Sequence, residues 1–296
     1  MLLYVLYRIG FFISNLLPLS ITYVFASLIA EIYYLVCAND RNSVQNNLKT
    51  ILGGSCSDAE LKRTARGVFR NFAKYLADFF RFSKIDDEYI KKHINIVGLE
   101  NVDKGLRDGK GVIALSAHIG NWELGGLIVS LLRQPMQAVV LTHKNKNIND
   151  FFTRQRSIGN MRPVEIGIGL RACYTVLKKN GILAVLGDRD FSKNGFWIEF
   201  FGKKTLIPRG PAVFSYRLGS CIVPVFMIRE EDDNFTLIFE EPIYPDVSQD
   251  EEISTRKLAK AYSSVIESYV KKYPSQWYMF KEVWNNHEKM RPDTGV

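Results

Sequence analysis

Residues 111–126 read GVIALSAHIGNWELGG, and how this stretch is parsed decides the fold. Val112 to Leu115 form an unbroken apolar run, the composition of a strand buried on both faces. A histidine follows at 118, Gly120 permits a sharp bend, and Asn121 is a residue type that caps helices. His118 and Glu123 stand five apart, which on one continuous helix would turn their side chains about 140° away from each other. They converge if His118 sits in the turn and Glu123 in the first helical turn. Glu123 is then expected to accept a hydrogen bond from one imidazole nitrogen, fixing the tautomer and raising basicity. The other nitrogen would face the cleft at the strand's carboxyl end, where open α/β sheets hold their sites. A single histidine at such a corner is also a common structural residue, so the flanking sequence has to decide.

Outward from the corner, short apolar runs alternate with helical stretches. The runs are INIV (94–97), GVIALSA (111–117), MQAVVLT (136–142), GILAVLG (181–187) and SCIVPVFMI (220–228). Helical patterns fit 121–133, 146–158, 168–180, 210–218 and 254–272. This alternation predicts an α/β domain over 91–296, with a mostly parallel central sheet covered by helices on both faces. NFTLIFEE (234–241) and IYPDV (243–247) are expected to add an antiparallel edge, making the sheet mixed.

Residues 1–90 read as a separate helical, membrane-associated region. Residues 9–30 carry no charge and are bounded by Arg8 and Glu31, a length that would span a bilayer although Ser, Thr, Asn and Pro dilute it. We read a retained anchor, spanning or lying in the interface, with a break near Pro18; a buried helical hairpin is the other reading. Ser57-Asp-Ala-Glu60 has capping-box spacing and predicts a helix start. The basic stripe along that helix (Lys62, Arg63, Arg66, Arg70, Lys74, Arg81) is either a solvated face or a contact for anionic headgroups, at about 1 kcal/mol per charge.

Composition removes several function classes. At 296 residues, 47% hydrophobic and 24% charged, the chain is globular; its net charge of +8 favours an acidic or phosphate-bearing partner. Four dispersed cysteines without a C-x-x-C pair argue against zinc and a disulfide framework, and the scattered histidines against any metal site. No G-x-S-x-G elbow is present. Gly105-Leu-Arg-Asp-Gly109-Lys110 is one residue short of a phosphate-binding loop. Gly167-Ile-Gly169-Leu-Arg-Ala172 matches a dinucleotide pattern, but Arg162-Pro-Val-Glu-Ile166 before it is a poor buried strand. No cofactor and no nucleic acid are expected.

Ser116-Ala-His118-Ile-Gly120-Asn121-Trp122-Glu123 resembles the signature of the lysophospholipid acyltransferase superfamily, in its lipid A biosynthesis lauroyl/myristoyl branch. Other blocks resemble the family in order: Phe69-Arg70-Asn71-Phe72 with Tyr75-Leu-Ala-Asp78, then Arg154-Gln-Arg156, Gly187-Asp188-Arg-Asp190, Phe200-Phe201-Gly202, Gly210-Pro211-Ala212, Val223-Pro224 and Pro274-Ser-Gln276-Trp277. Phe280-Lys281 departs from a His-Arg pair frequent in the family. The resemblance implies O-acyl transfer from a carrier thioester, acyl carrier protein or acyl-CoA, to a hydroxyl of a membrane glycolipid such as a lipid A precursor. It implies a place at the bacterial inner membrane with the active site facing the cytoplasm.

On that reading His118 is the general base, Glu123 its orienting carboxylate, and the substrate supplies the nucleophile, so no serine elbow is needed. Backbone N–H groups near Gly120–Trp122, or Arg156, would stabilise the oxyanion. Asn121, Trp122, Arg154, Arg156 and Asp188 are candidate substrate-binding residues; for the last three a structural ion pair at the sheet edge is the competing reading. Lys203, Lys204 and Arg209 would grip phosphate or an acidic carrier, or else are solvated loop charges. An esterase or thioesterase using the same His–Glu pair, and a non-catalytic lipid-binding scaffold, are the competing functions.

Overall fold

The computed structural model describes residues 1–54, 56–132, 136–165, 169–191 and 193–284. The apolar N-terminal stretch forms two helices, α1 (Leu2–Leu16) and α2 (Leu19–Val36), parted at Pro18. Next come α3 (Ala38–Leu52), α4 (Asp58–Phe80) and α5 (Asp87–His93). Ser57 caps α4 as its spacing predicts, its Oγ accepting from Glu60 N at 3.2 Å. The order continues β1 (Ile94–Val97), α6 (Glu100–Arg107), β2 (Val112–Ser116), α7 (Trp122–Leu132), β3 (Met136–Val140), α8 (Lys146–Arg156), β4 (Met161–Glu165), α9 (Leu170–Lys178) and β5 (Ile182–Leu186). It ends with β6 (Phe196–Phe200), β7 (Lys203–Ile207), α10 (Gly210–Leu218), β8 (Cys221–Arg229), β9 (Phe235–Phe239) and α11 (Glu251–Lys272).

Seven strands make one sheet in the order β1-β9-β8-β2-β5-β3-β4. The block from β8 to β4 is parallel; β9 runs antiparallel to β8 and carries β1 parallel to itself at the edge. The unbroken apolar character of the strands has a direct cause. Ile113, Leu115, Leu183, Val185 and Ile222 pack under α9 and α11 on one face. Their neighbours Val112, Ala114, Ile182, Val223 and Val225 pack on the other face with Leu124, Leu127 and Ile128 of α7. Both faces are covered by helices, so alternation vanishes.

Three details depart from the sequence reading. The 243–247 segment contributes only an isolated bridge, Ile222 with Ile243. Residues 162–166, read as a poor buried strand, overlap the edge strand β4 (Met161–Glu165), and an edge is where a sheet tolerates a proline such as Pro163. The hairpin β6–β7 was not anticipated. Its two-residue turn places Phe201 at φ 54° and Gly202 at φ 70°, and a phenylalanine is a poor advertisement for a turn that needs positive φ at both positions. The dinucleotide-like pattern starts at residue 167, outside the described residues.

Among the described residues α2 is the one helix long and apolar enough to cross a membrane. It lies antiparallel along α4. Tyr34 meets Phe69 edge-on at 5.3 Å, and Glu31 pairs with Arg70 at 2.5 Å and Arg66 at 3.7 Å. The Tyr23 hydroxyl donates to Asp78. The outward sides of α1 and α2, including Leu6, Phe12, Val24, Leu28 and Ile32, are exposed.

Candidate active site

The corner after β2 is clamped from two sides. Gly120 takes φ 61°, and a Cβ there would lie 2.0 Å from the Met227 carbonyl oxygen, so only glycine fits. Gly120 N donates to Gln276 O at 2.9 Å, Asn121 N to Met227 O at 2.7 Å, and Tyr278 N to His118 O at 2.8 Å. Asn121 then caps α7, its Oδ1 accepting from Leu124 N at 3.1 Å, a bond typically worth about 1 kcal/mol.

His118 Nδ1 lies 2.8 Å from Asp188 Oδ1, and His118 N donates to Asp188 Oδ2 at 2.9 Å. The other bond to this carboxylate comes from Trp277 Nε1 at 3.0 Å. The Asp188 side chain is fully buried. Burial alone would push its carboxyl up, but the charge and hydrogen bonds of His118, with Trp277, pull it below the usual carboxylate range. An ionised carboxylate accepts only, so Nδ1 carries the proton and Nε2 is the nitrogen left for the cavity that His118 lines.

This corrects the expected His118–Glu123 bond. Glu123 faces Arg156 instead: Arg156 Nε donates to both carboxylate oxygens at 3.0 Å, and an Nη donates to Oε1 at 2.5 Å. Burial works against the Arg156 charge, and Glu123 more than offsets it, raising the guanidinium pKa. The reason for the exchange is strand register. β2 and β5 are parallel neighbours with Ser116 opposite Leu186, so position 188 arrives beside position 118. Glu123, on the first turn of α7, meets the planar two-pronged donor that α8 supplies.

His118, Glu123 and Arg156 line a largely apolar cavity of about 790 Å³, within the size range of ligand sites, with Asp188 buried behind His118. Its depth comes from small residues. Ala114, Ala184 and Ala138 sit side by side across β2, β5 and β3, and Gly125 and Gly126 of α7 line the same space. Trp122 also lines it, edge-on to His118 at 5.3 Å and stacked on Tyr75 at 4.5 Å. Arg209 reaches the cavity as well.

Other candidates fall elsewhere. Asn121 is committed to the cap and to Asp78, whose Oδ2 accepts from its Nδ2 at 2.8 Å. Arg154 is exposed on α8 and does not line the cavity. Lys203 is exposed too, donating to Thr50 Oγ1 at 3.1 Å, with its Nζ 5.6 Å from the Trp284 ring. Sequence reasoning missed Trp277 as Asp188's partner and His143, which lines the cavity and is held below its ordinary pKa by burial and by the Arg156 charge. A histidine and an aspartate each two residues beyond adjacent strands was the available signal for the His118–Asp188 pair.

A family model described as bacterial lipid A biosynthesis acyltransferase matches residues 1–286. Phosphatidylinositol mannoside acyltransferase of Mycolicibacterium smegmatis is 23% identical over 248 residues, covering 81% of this chain and 78% of that protein. The protein of the same name from Mycobacterium tuberculosis strain H37Rv is 23% identical over 220 residues, 72% of this chain and 68% of its own length. Lipid A biosynthesis palmitoleoyltransferase of Escherichia coli K12 is 27% identical over 196 residues, 64% of this chain and 61% of that protein. With its corner motif, its sheet and nearly its whole length accounted for, the chain belongs to the bacterial lipid A biosynthesis acyltransferase family and is an acyltransferase.

Proposed function

We propose that this acyltransferase moves a fatty acyl group from a carrier thioester, on acyl carrier protein or coenzyme A, to a hydroxyl of a membrane glycolipid such as a lipid A precursor. The observation that carries the reading is a histidine held by a buried aspartate on one ring nitrogen while lining a deep apolar cavity. His118 Nε2 takes the acceptor hydroxyl's proton as that oxygen attacks the thioester carbonyl. The tetrahedral intermediate collapses with cleavage of the C–S bond, and the imidazolium returns its proton to the departing thiolate. Asp188 keeps the ring in the right tautomer and stabilises its charged form.

Of the donors expected for the oxyanion, Gly120 N and Asn121 N are committed to protein carbonyls. Arg156 keeps one terminal nitrogen outside its pair with Glu123, and we assign the oxyanion to it, an interaction typically worth about 3 kcal/mol. The space between the alanine row and Gly126 suits the acyl chain, and Arg209 suits a phosphate of either substrate. The protein sits at the inner membrane with this site on the cytoplasmic side. Because α2 is held along α4 from Tyr23 to Tyr34, the fold favours an interfacial seat over a crossing, with the outward apolar faces of α1 and α2 in lipid.

The test is incubation of the purified full-length protein with labelled acyl carrier protein or acyl-CoA and a glycolipid extract. An acylated glycolipid, lost in His118→Ala, supports transfer; release of free fatty acid alone would assign the pair to hydrolysis.

A further inference from the structure

The mechanism leaves one buried carboxylate without a part. Asp78, near the end of α4, is 3% exposed. Its Oδ1 accepts from the Tyr23 hydroxyl of α2, and its Oδ2 accepts from the Arg229 guanidinium and, at 2.8 Å, from Asn121 Nδ2. Arg229 is itself fixed. Its Nη1 reaches Asp233 at 3.3 Å, and its backbone exchanges bonds of 3.0 and 2.8 Å with the Gln276 side chain. The same Gln276 presents its carbonyl to Gly120 N.

Asp78 bears on the corner through an amide orientation. Asn121 must turn its oxygen toward Leu124 N to cap α7, and its NH₂ group then has to find an acceptor. Burial raises the Asp78 carboxyl's pKa, but the oxygen that faces Asn121 is the Oδ2 already taken by the Arg229 guanidinium, a donor only, so that oxygen is an acceptor; it permits this orientation of the amide and rejects the flipped one. The first turn of α7 carries Trp122, which packs on His118, and Glu123, which holds Arg156. We infer that Asp78 is a positioning residue for acyl transfer, and that Tyr23, through Asp78, makes the apolar helix α2 part of the support of the catalytic corner. The inference rests on the acyl-transfer reading above.

Tyr23→Phe is the discriminating variant, because it removes one hydroxyl and leaves the ring beside Arg229, now at 4.9 Å. It is expected to lower kcat about tenfold, with the donor KM unchanged to within about twofold. Asn121→Ala (or Asn121→Ser should alanine not fold) is expected to lower kcat similarly, and adding Tyr23→Phe to it is expected to cost nothing more. Amide hydrogen exchange in Tyr23→Phe should quicken in peptides spanning 117–127 and stay unchanged in β9. A wild-type kcat in Tyr23→Phe, losses that multiply in the double variant, or exchange that rises evenly through the protein would each overturn the inference. A wild-type protein with no transferase activity would instead count against the acyl-transfer reading, and the exchange comparison would still decide whether Tyr23 holds the corner.

Discussion

Two buried carboxylates flank the cavity, and they do different work. Asp188 faces an imidazole, whose second nitrogen is left to exchange a proton; Glu123 faces a guanidinium that stays charged at any working pH. The first pair is suited to chemistry. The second is suited to holding, joining α7 to α8 at the cavity wall and fixing the Arg156 guanidinium whose free end is proposed to meet the oxyanion. What separates them is strand register more than sequence distance: seventy residues apart, His118 and Asp188 end adjacent parallel strands, whereas five residues apart, His118 and Glu123 do not pair.

The largest expected effect comes from removing the proposed base. His118→Gln should lower kcat about 10⁴-fold with circular dichroism and melting temperature near those of the wild type. Asp188→Asn should follow, at about 10³-fold. Glu123→Gln should lower kcat less, about tenfold, while destabilising the fold by about 3 kcal/mol, because it strands a buried guanidinium. Denaturant titration checks that second number, and the double variant Glu123→Leu with Arg156→Met should recover most of the stability without the activity. If Glu123→Gln instead matched Asp188→Asn in kcat at full stability, the division of labour between the pairs would be wrong.

The same contrast has a pH signature. Asp188 is held below the usual carboxylate range when folded, so its stabilising contribution is complete above the unfolded value, about pH 4, and is lost as pH falls through its lower folded value. The acid limb of wild-type stability should therefore be steeper than that of Asp188→Asn, measured by denaturant midpoint from about pH 5 downward.

The smallest expected effect is on selectivity. A Cβ on Gly126 would meet Met161 Sδ at 3.4 Å and Met136 Cε at 3.8 Å, both ordinary contacts. Gly126→Leu should fold and shorten the space beside the alanine row. We expect the preference for a long over a short acyl donor to drop about tenfold, read from kcat/KM on donors of different chain length.

Much of this was legible in the sequence. The strand–corner–helix parse of 111–126, the break at Pro18 and the cap at Ser57 all follow from local rules of burial, turn and capping, which act within a few residues. The glycine pair ending the opening stretch was visible but unexplained, because its meaning lies in Ala138 and Ala184 across the sheet. The partner of His118 was not legible locally, since choosing Asp188 over Glu123 requires knowing that β5 lies beside β2. The β6–β7 hairpin escaped because Phe201 occupies a backbone region where glycine or asparagine is expected.

We propose that Asp188, and not Glu123, orients the His118 imidazole. Nitrogen-15 NMR of the imidazole rings tests it most directly, with the His118 signals assigned by their loss in His118→Gln. In the neutral form of the His118 ring, Nδ1 is expected to be protonated and Nε2 unprotonated, a pattern kept in Glu123→Gln and lost in Asp188→Asn. The opposite result, with the tautomer disturbed by Glu123→Gln and preserved in Asp188→Asn, would contradict it.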